Sequence, residues 1–370
     1  MRYLFHLSRL TQKEKLVLIL LVVSALIMIS VSVYFSFRIP KKDQTVVNNR
    51  IHVMHTGGEI EPDFQKKYQK IKDKLGRYDM RAYDPLINSS DIVPNDWNDI
   101  AKDIGDIYNK YDAIIIIGGR DTLAYTASAL SFMLENLNKP VILTDRELIP
   151  ALYMASRTKI PEVMIISRNK LFRGCRSVMN STNYFTSPNY PSLKKYNSLT
   201  VDPKDAKNSM TVKFVSPKVK IVVVKIYPGI DEKYLQNFLN NMEVHGIVFE
   251  TYGVGNCPTS DKFLDMIGRL AKKGIVMVAV SQCDKVSKPD VDMRLLEAGV
   301  LSGYDMTTSA AFAKLSFLLS NVKERQLIGK LMEQNFRGEI TVEATPRADK
   351  PIKPIKPSIN RINDEIIEPI

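Results

Sequence analysis

The run YDAIIIIGGRDTLAYTASALSFMLENLNKPVILT, residues 111–144, constrains the fold more tightly than any other stretch of this sequence. Residues 113–117 (AIIII) form a short, uncharged, isoleucine-rich segment, which suits a strand covered on both faces. Two glycines follow; residues 125–137 then read as a helix and residues 141–144 (VILT) as a second strand. A strand, a glycine turn, a helix and another apolar strand make a parallel crossover unit.

The alternation continues on both sides. Residues 51–54 predict a strand ended by Gly57 and Gly58, residues 64–75 a lysine-rich helix, and residues 95–108 a helix with Pro94 at its start. Residues 163–166 predict a further strand. A second unit opens near Lys218, where KIVVVKIYPG, HGIVFETYGVGN and GIVMVAVSQC alternate with helical stretches at 232–240 and 260–273. The expected class is α/β: a larger N-terminal parallel-sheet domain (51–200), a connector (201–217) and a smaller C-terminal α/β domain (218–345). Outside these lie a basic segment (1–15), a polar linker (38–50) and a Pro/Lys-rich tail (346–370).

Residues 16–37 (LVLILLVVSALIMISVSVYFSF) carry no charge. As a helix they would span ~33 Å, enough to cross a bilayer, so a single transmembrane helix is expected there. Basic residues flank it on both sides, with a slight bias towards a cytoplasmic N-terminus. The net charge of +12 does not concentrate in one block interleaved with aromatics, so no specific nucleic-acid binding is expected. Cys175, Cys257 and Cys283 form no CxxC pair, and the four histidines form no HxxxH. Neither a metal site nor a disulfide framework is therefore expected, nor any cofactor, and the three thiols read as buried small apolar groups.

Ligands of open α/β sheets bind beyond the carboxyl ends of the strands. Four segments qualify: Thr56-Gly57-Gly58, Asn88-Ser89-Ser90-Asp91, Gly118-Gly119-Arg120-Asp121-Thr122, and residues 252–256. Each is weak alone; their combination and order carry a resemblance. HTGGEI, PLINSSDIVPNDW, GGRDTLAYTASALSFMLENLNKPVILTD, NKLFRGCRSVM and SPNYPSL are similar, in sequence order, to motifs of the bacterial cytosolic-type and animal L-asparaginases. KIYPGI, ETYGVGNCPT, GIVMVAVSQC, GVLSGYDMTTSAAFAKLSFLL and RGEIT continue the match to Thr341.

The resemblance implies hydrolysis of an asparagine side-chain amide by a threonine nucleophile, in a homo-oligomer, with L-asparagine or L-aspartate as ligand. By motif the nucleophile is Thr56, the aspartate of the catalytic cluster is Asp121, the substrate-holding residues are Ser89, with Ser90 beside it, and again Asp121, and Asn256 reaches a neighbouring subunit's site. Two members of the family's catalytic cluster are replaced: Arg120 stands for the second threonine and Met179 for the lysine. Glu59 replaces the threonine of TGGTI, Gly118 the histidine of HGTDT, and only about two dozen residues separate Ile60 from Pro85, where the family carries a longer lid. Methionine relays no proton, and an arginine beside Asp121 should pair with that carboxylate and compete with the ligand's amine. The expectation is hydrolysis lost or strongly reduced; the alternative is an active amidohydrolase using Thr56.

Overall fold

The computed structural model describes Thr11 and residues 49–195, 209–286 and 290–341. Two compact units divide after Val46, and every element below belongs to the second. Its first half runs β1 (Arg50–His55), α1 (Phe64–Ile71), β2 (Arg77–Ala82), α2 (Pro94–Ile107), β3 (Ala113–Ile117), α3 (Leu123–Met133), β4 (Leu134–Glu135), β5 (Val141–Thr144), α4 (Leu148–Ala155), β6 (Val163–Ser167), β7 (Lys170–Arg173), β8 (Val178–Met179), β9 (Phe185–Thr186), β10 (Lys194–Lys195) and β11 (Thr211–Val212). The second half follows as β12 (Ile221–Lys225), α5 (Glu232–Asn240), β13 (Gly246–Thr251), α6 (Asp261–Lys272), β14 (Val276–Ser281), α7 (Met293–Glu297), β15 (Val300–Ser302), α8 (Thr308–Asn321) and α9 (Arg325–Met332).

The first sheet has the order β10-β7-β6-β5-β3-β1-β2. Strands β2, β1, β3, β5 and β6 are parallel, β7 pairs antiparallel with β6, and β10 pairs antiparallel with β7 at the edge. The expected α/β class with a parallel N-terminal sheet therefore holds, with an antiparallel border that the apolar pattern did not announce. Chain order reverses at β1: β2 lies on one side and β3 on the other. That reversal opens a crevice beyond the carboxyl ends of β1 and β3. The second sheet is the simpler β12-β13-β14-β15, parallel throughout.

The isoleucine run of β3 is explained by the two cores it serves. Ile114 and Ile116 face a core built with Trp97, Ile100 and Ile104 of α2 and much of α3. Ala113, Ile115 and Ile117 face a second core with Phe64, Leu148 and Leu152. A strand's side chains alternate between faces, so full burial on both demands an unbroken apolar run.

Helix α3 is buried nearly all round because α8 of the second half lies against it. Phe132 meets Phe317 at 6.3 Å between ring centroids, and Tyr125 meets Phe312 at 5.8 Å. Its two serines add no unmet polarity: Ser128 and Ser131 donate back to the carbonyls of Ala124 and Ala127, each at 2.7 Å. The helix ends earlier than its composition predicts. Leu134 and Glu135 leave it to pair with β11, and Asn136 takes a left-handed φ of 55°.

A buried ion pair fastens the halves together, and a second braces the end of the second half. Arg176, fully buried just after β7, meets Asp305 at 2.7 Å and donates from Nε to the carbonyl of Gly338 at 2.7 Å. Lys314 of α8 meets Glu339 at 2.7 Å with both side chains fully buried, and also donates to the carbonyl of Met332 at 2.8 Å. Glu339 in turn accepts from the backbone of Phe336 and Arg337. Gly338 sits at φ 79°, and a Cβ there would lie 2.1 Å from Arg173 Nη1, so this position requires glycine.

Two expectations need correction. Of the cysteines, Cys175 is buried, but Cys257 is half-buried and Cys283 is exposed, because the chain leaves β14 into an open loop. Burial pushes the Cys175 and Cys257 thiols up to about 12, so both are held protonated. The transmembrane placement is also overturned: among the described residues no helix is long and apolar enough to cross a membrane. Residues 16–37, on which that placement rested, lie outside the described residues, as do most of the linker (38–50) and the tail (346–370).

Lys314→Met strands Glu339 without its cation in a fully buried site. The expected loss is about 3–5 kcal/mol of stability in urea unfolding. Lys314→Met combined with Glu339→Gln should lose less than the single variant, because no bare charge is left.

Candidate functional site

The crevice is assembled from three turns that follow β1, β3 and β5, together with the loop after β2. The amides of Thr56, Gly57 and Gly58 all donate to the carbonyl of Ile117, at 2.9, 3.1 and 3.3 Å. Thr56 Oγ1 donates to the same oxygen at 3.1 Å, and the residue is only 4% exposed. Thr56 is thereby fixed between the ends of β1 and β3. Gly57 and Gly58 are required by close approach: a Cβ at Gly57 would lie 2.1 Å from the Ile87 carbonyl, and one at Gly58 2.6 Å from the Gly118 carbonyl.

Ser89, Ser90 and Asp91 make a single turn whose start is capped by Asn88, its side chain accepting from the Ser90 amide at 3.3 Å. The turn is tied to the β3–α3 connection by Thr122, whose hydroxyl donates to the Ser89 carbonyl at 2.8 Å. Ser90 Oγ lies 3.5 Å from Asp121 Oδ2. Thr56 and Ser89, far apart in sequence, therefore line one crevice, and Ser90 and Asp121 meet on the exposed side of the same two turns. A small pocket lies there, lined by Thr56, Ile87, Ser89, Ile92, Ile100, Gly118, Gly119, Thr122, Leu123 and Thr126. The lining holds hydroxyls and apolar groups and no charged side chain.

Arg120 does not line this pocket, and it does not pair with Asp121 as its position suggests. Its Nε donates to Asp145 Oδ2 at 2.7 Å. Asp145 is the better-shielded carboxylate, 12% exposed at the side chain, whereas Asp121 is exposed. Less water between the charges strengthens the attraction. Arg146 Nε also donates to Asp145 Oδ2, at 3.1 Å, and Arg146 Nη2 lies 3.9 Å from Glu59. The Glu59 amide donates to the Asp145 carbonyl at 2.8 Å, so the β1 turn and the β5 turn are locked together.

Asp145 is the residue that motif reading missed. The signal was present: the motif ends VILTG in the resembling family and VILTD here. Met179 lies in the short ribbon of β8 and β9, is 39% exposed and is outside the pocket lining. Asn256 sits exposed in the turn after β13, where its backbone pairs with Tyr252, and is also outside the pocket lining.

A buried hydroxyl in a crevice where strand order reverses, in the larger of two α/β domains, defines a two-domain α/β protein with a crevice beyond the strand ends. The chain belongs to the asparaginase family: residues 50–207 match the family description "Asparaginase, N-terminal" and residues 220–332 match "Glutaminase/Asparaginase C-terminal domain". It is 39% identical to L-asparaginase 1 of Escherichia coli K12 over 332 residues, covering 79% of this chain and 98% of the relative. The crystal structure of L-asparaginase I from Vibrio cholerae superposes with a TM-score of 0.73 at 35% identity, covering 80% of this chain and all of that one. The structure described as a probable cytoplasmic L-asparaginase from Campylobacter jejuni shares the fold, with a TM-score of 0.62 at 21% identity over 77% of this chain and 99% of that one. The membrane placement expected from residues 16–37 thus has no counterpart in what these relatives are called.

Gly119 separates the two halves of the crevice. A Cβ there would stand 2.4 Å from Ser89 Cβ and 2.6 Å from its Oγ, so Ser89 must move in Gly119→Ala. The expected cost is about 1–3 kcal/mol in urea unfolding. A weaker calorimetric affinity for L-aspartate should accompany it.

Proposed function

We propose that this protein is an amidohydrolase that converts L-asparagine, or a closely related side-chain amide, to the acid and ammonia, with Thr56 as nucleophile. The observation that carries this reading is that Thr56 lines a small pocket beyond the ends of β1 and β3, with the bulky Arg120 drawn off to Asp145 and outside that lining. Family membership supports the same reaction class.

In this reading the ligand's amide enters the apolar pocket and its charged end stays at the rim. Ser89 and Ser90 offer hydroxyls to the α-carboxylate, and Asp121 offers its carboxylate to the α-amine. Thr56 Oγ1 attacks the amide carbon, the carbon–nitrogen bond breaks, and the hydroxyl proton leaves with the nitrogen as ammonia. Water then adds to the resulting ester; the bond to Thr56 breaks, its hydroxyl is restored, and the acid is released. Asn256, exposed on the second domain, is available to a neighbouring copy's site in a homo-oligomer.

A second reading is favoured by a specific observation: hydrolysis is lost or strongly reduced while ligand binding is kept. The Thr56 hydroxyl donates to a backbone carbonyl rather than to a base. Met179 has no ionisable group, and the Arg120 guanidinium accepts no proton at neutral pH.

Ammonia release from asparagine by the full-length protein separates the two. Under the first reading Thr56→Ala falls to background, and retention of the parental rate would leave the reaction without its nucleophile. Under the second, Arg120→Thr with Met179→Lys raises kcat by roughly two orders of magnitude or more, since missing members of a catalytic cluster cost that much. A double variant no faster than the parent removes the second reading.

A further inference from the structure

We infer that Asp145 is a positioning residue that keeps the ligand-binding carboxylate of Asp121 free by holding Arg120 away from it. The inference rests on the reading above, in which Asp121 receives the ligand's amine.

Arg120 and Asp121 are consecutive in one short turn, so the guanidinium and the carboxylate are within reach of each other. Left alone, such a pair associates, and an ammonium ligand must then compete with a guanidinium for the same oxygens. In this fold the competition is removed by a third residue. Asp145 takes Arg120 Nε at 2.7 Å and is itself steadied by Arg146 Nε at 3.1 Å. The β5 turn that carries Asp145 is anchored on both sides: its carbonyl accepts the Glu59 amide at 2.8 Å, and the Thr144 hydroxyl accepts the Glu147 amide at 2.8 Å. The holder is thus rigid, while Asp121 keeps only the long contact to Ser90 at 3.5 Å.

Arg120 and Asp145, 25 residues apart in sequence, meet in one ion pair. An arginine at position 120 is tolerable beside a working Asp121 only if something else takes its charge.

The test compares two ligands that differ by the amine alone, L-aspartate and succinate, by titration calorimetry on the full-length protein. Asp145→Ala should weaken aspartate by about tenfold or more, the scale of one lost charge-assisted bond, and leave succinate within about threefold. Adding Arg120→Gln to Asp145→Ala should return aspartate to within about threefold of the parent. Asp145→Asn, closer in shape, should show the same amine-selective loss if the alanine variant does not fold. Equal losses for both ligands, unchanged aspartate binding, or failure of Arg120→Gln to rescue would each overturn the role given to Asp145 alone. Absence of aspartate binding by the unaltered protein would overturn the ligand reading of the site, and this inference with it.

Discussion

The pairing of Arg176 with Asp305, deep between the two halves, is the interaction on which the rest of the architecture depends. A guanidinium with no exposed surface must have its donors met, and this one is met by residues of the second half: Asp305, the Gly338 carbonyl and the Thr341 hydroxyl. The stretch that supplies them also carries Glu339, which neutralises Lys314 in the middle of α8. Arginine and lysine are costly to bury, so this geometry is tolerated only when every partner is in register. That requirement seats α8 against α3, and α3 begins where the Gly118–Gly119 turn ends.

The fold was legible where burial is complete. The strands at 113–117 and 141–144 lie in the interior of a sheet covered on both faces, and an interior strand has no choice but to be apolar. β2 was not legible, because an edge strand with one neighbour can carry RYDMRA and still pair through its backbone. β10 escaped for the same reason: pairing at an edge is a property of the partner as much as of the segment. The end of α3 was overrun because LENL has helical composition, while the pairing of Leu134 and Glu135 with β11 is set by residues some 76 positions away.

The candidate site divides similarly. Thr56, Ser89, Ser90 and Asp121 could be named because each lies in a short motif whose glycines and serines have few other uses, and the structure gathers them on the turns around one crevice. Arg120 could be found, but not its behaviour. Its effect depends on which carboxylate it faces, and that is decided by how the β3 and β5 turns are held side by side, a matter of three-dimensional register.

The difference bears on how a degenerate motif should be weighed. Counting Arg120 as one lost hydroxyl treats the position as independent. The ion pair makes it half of a unit, and contacting residues do not contribute additively. A charge introduced beside a binding carboxylate is harmful in proportion to its freedom, and Arg120 has little, since Asp145 is shielded, anchored through Glu59 and shared with Arg146. Met179 sits on an exposed ribbon outside the pocket lining, and its side chain carries no ionisable group. The two replacements are thus unequal. One is absorbed by a compensating charge, while the other has no ionisable group to absorb. The two positions therefore carry different weight: Arg120 is held by Asp145 in the β5 turn, while Met179 lies on an exposed ribbon outside the pocket lining.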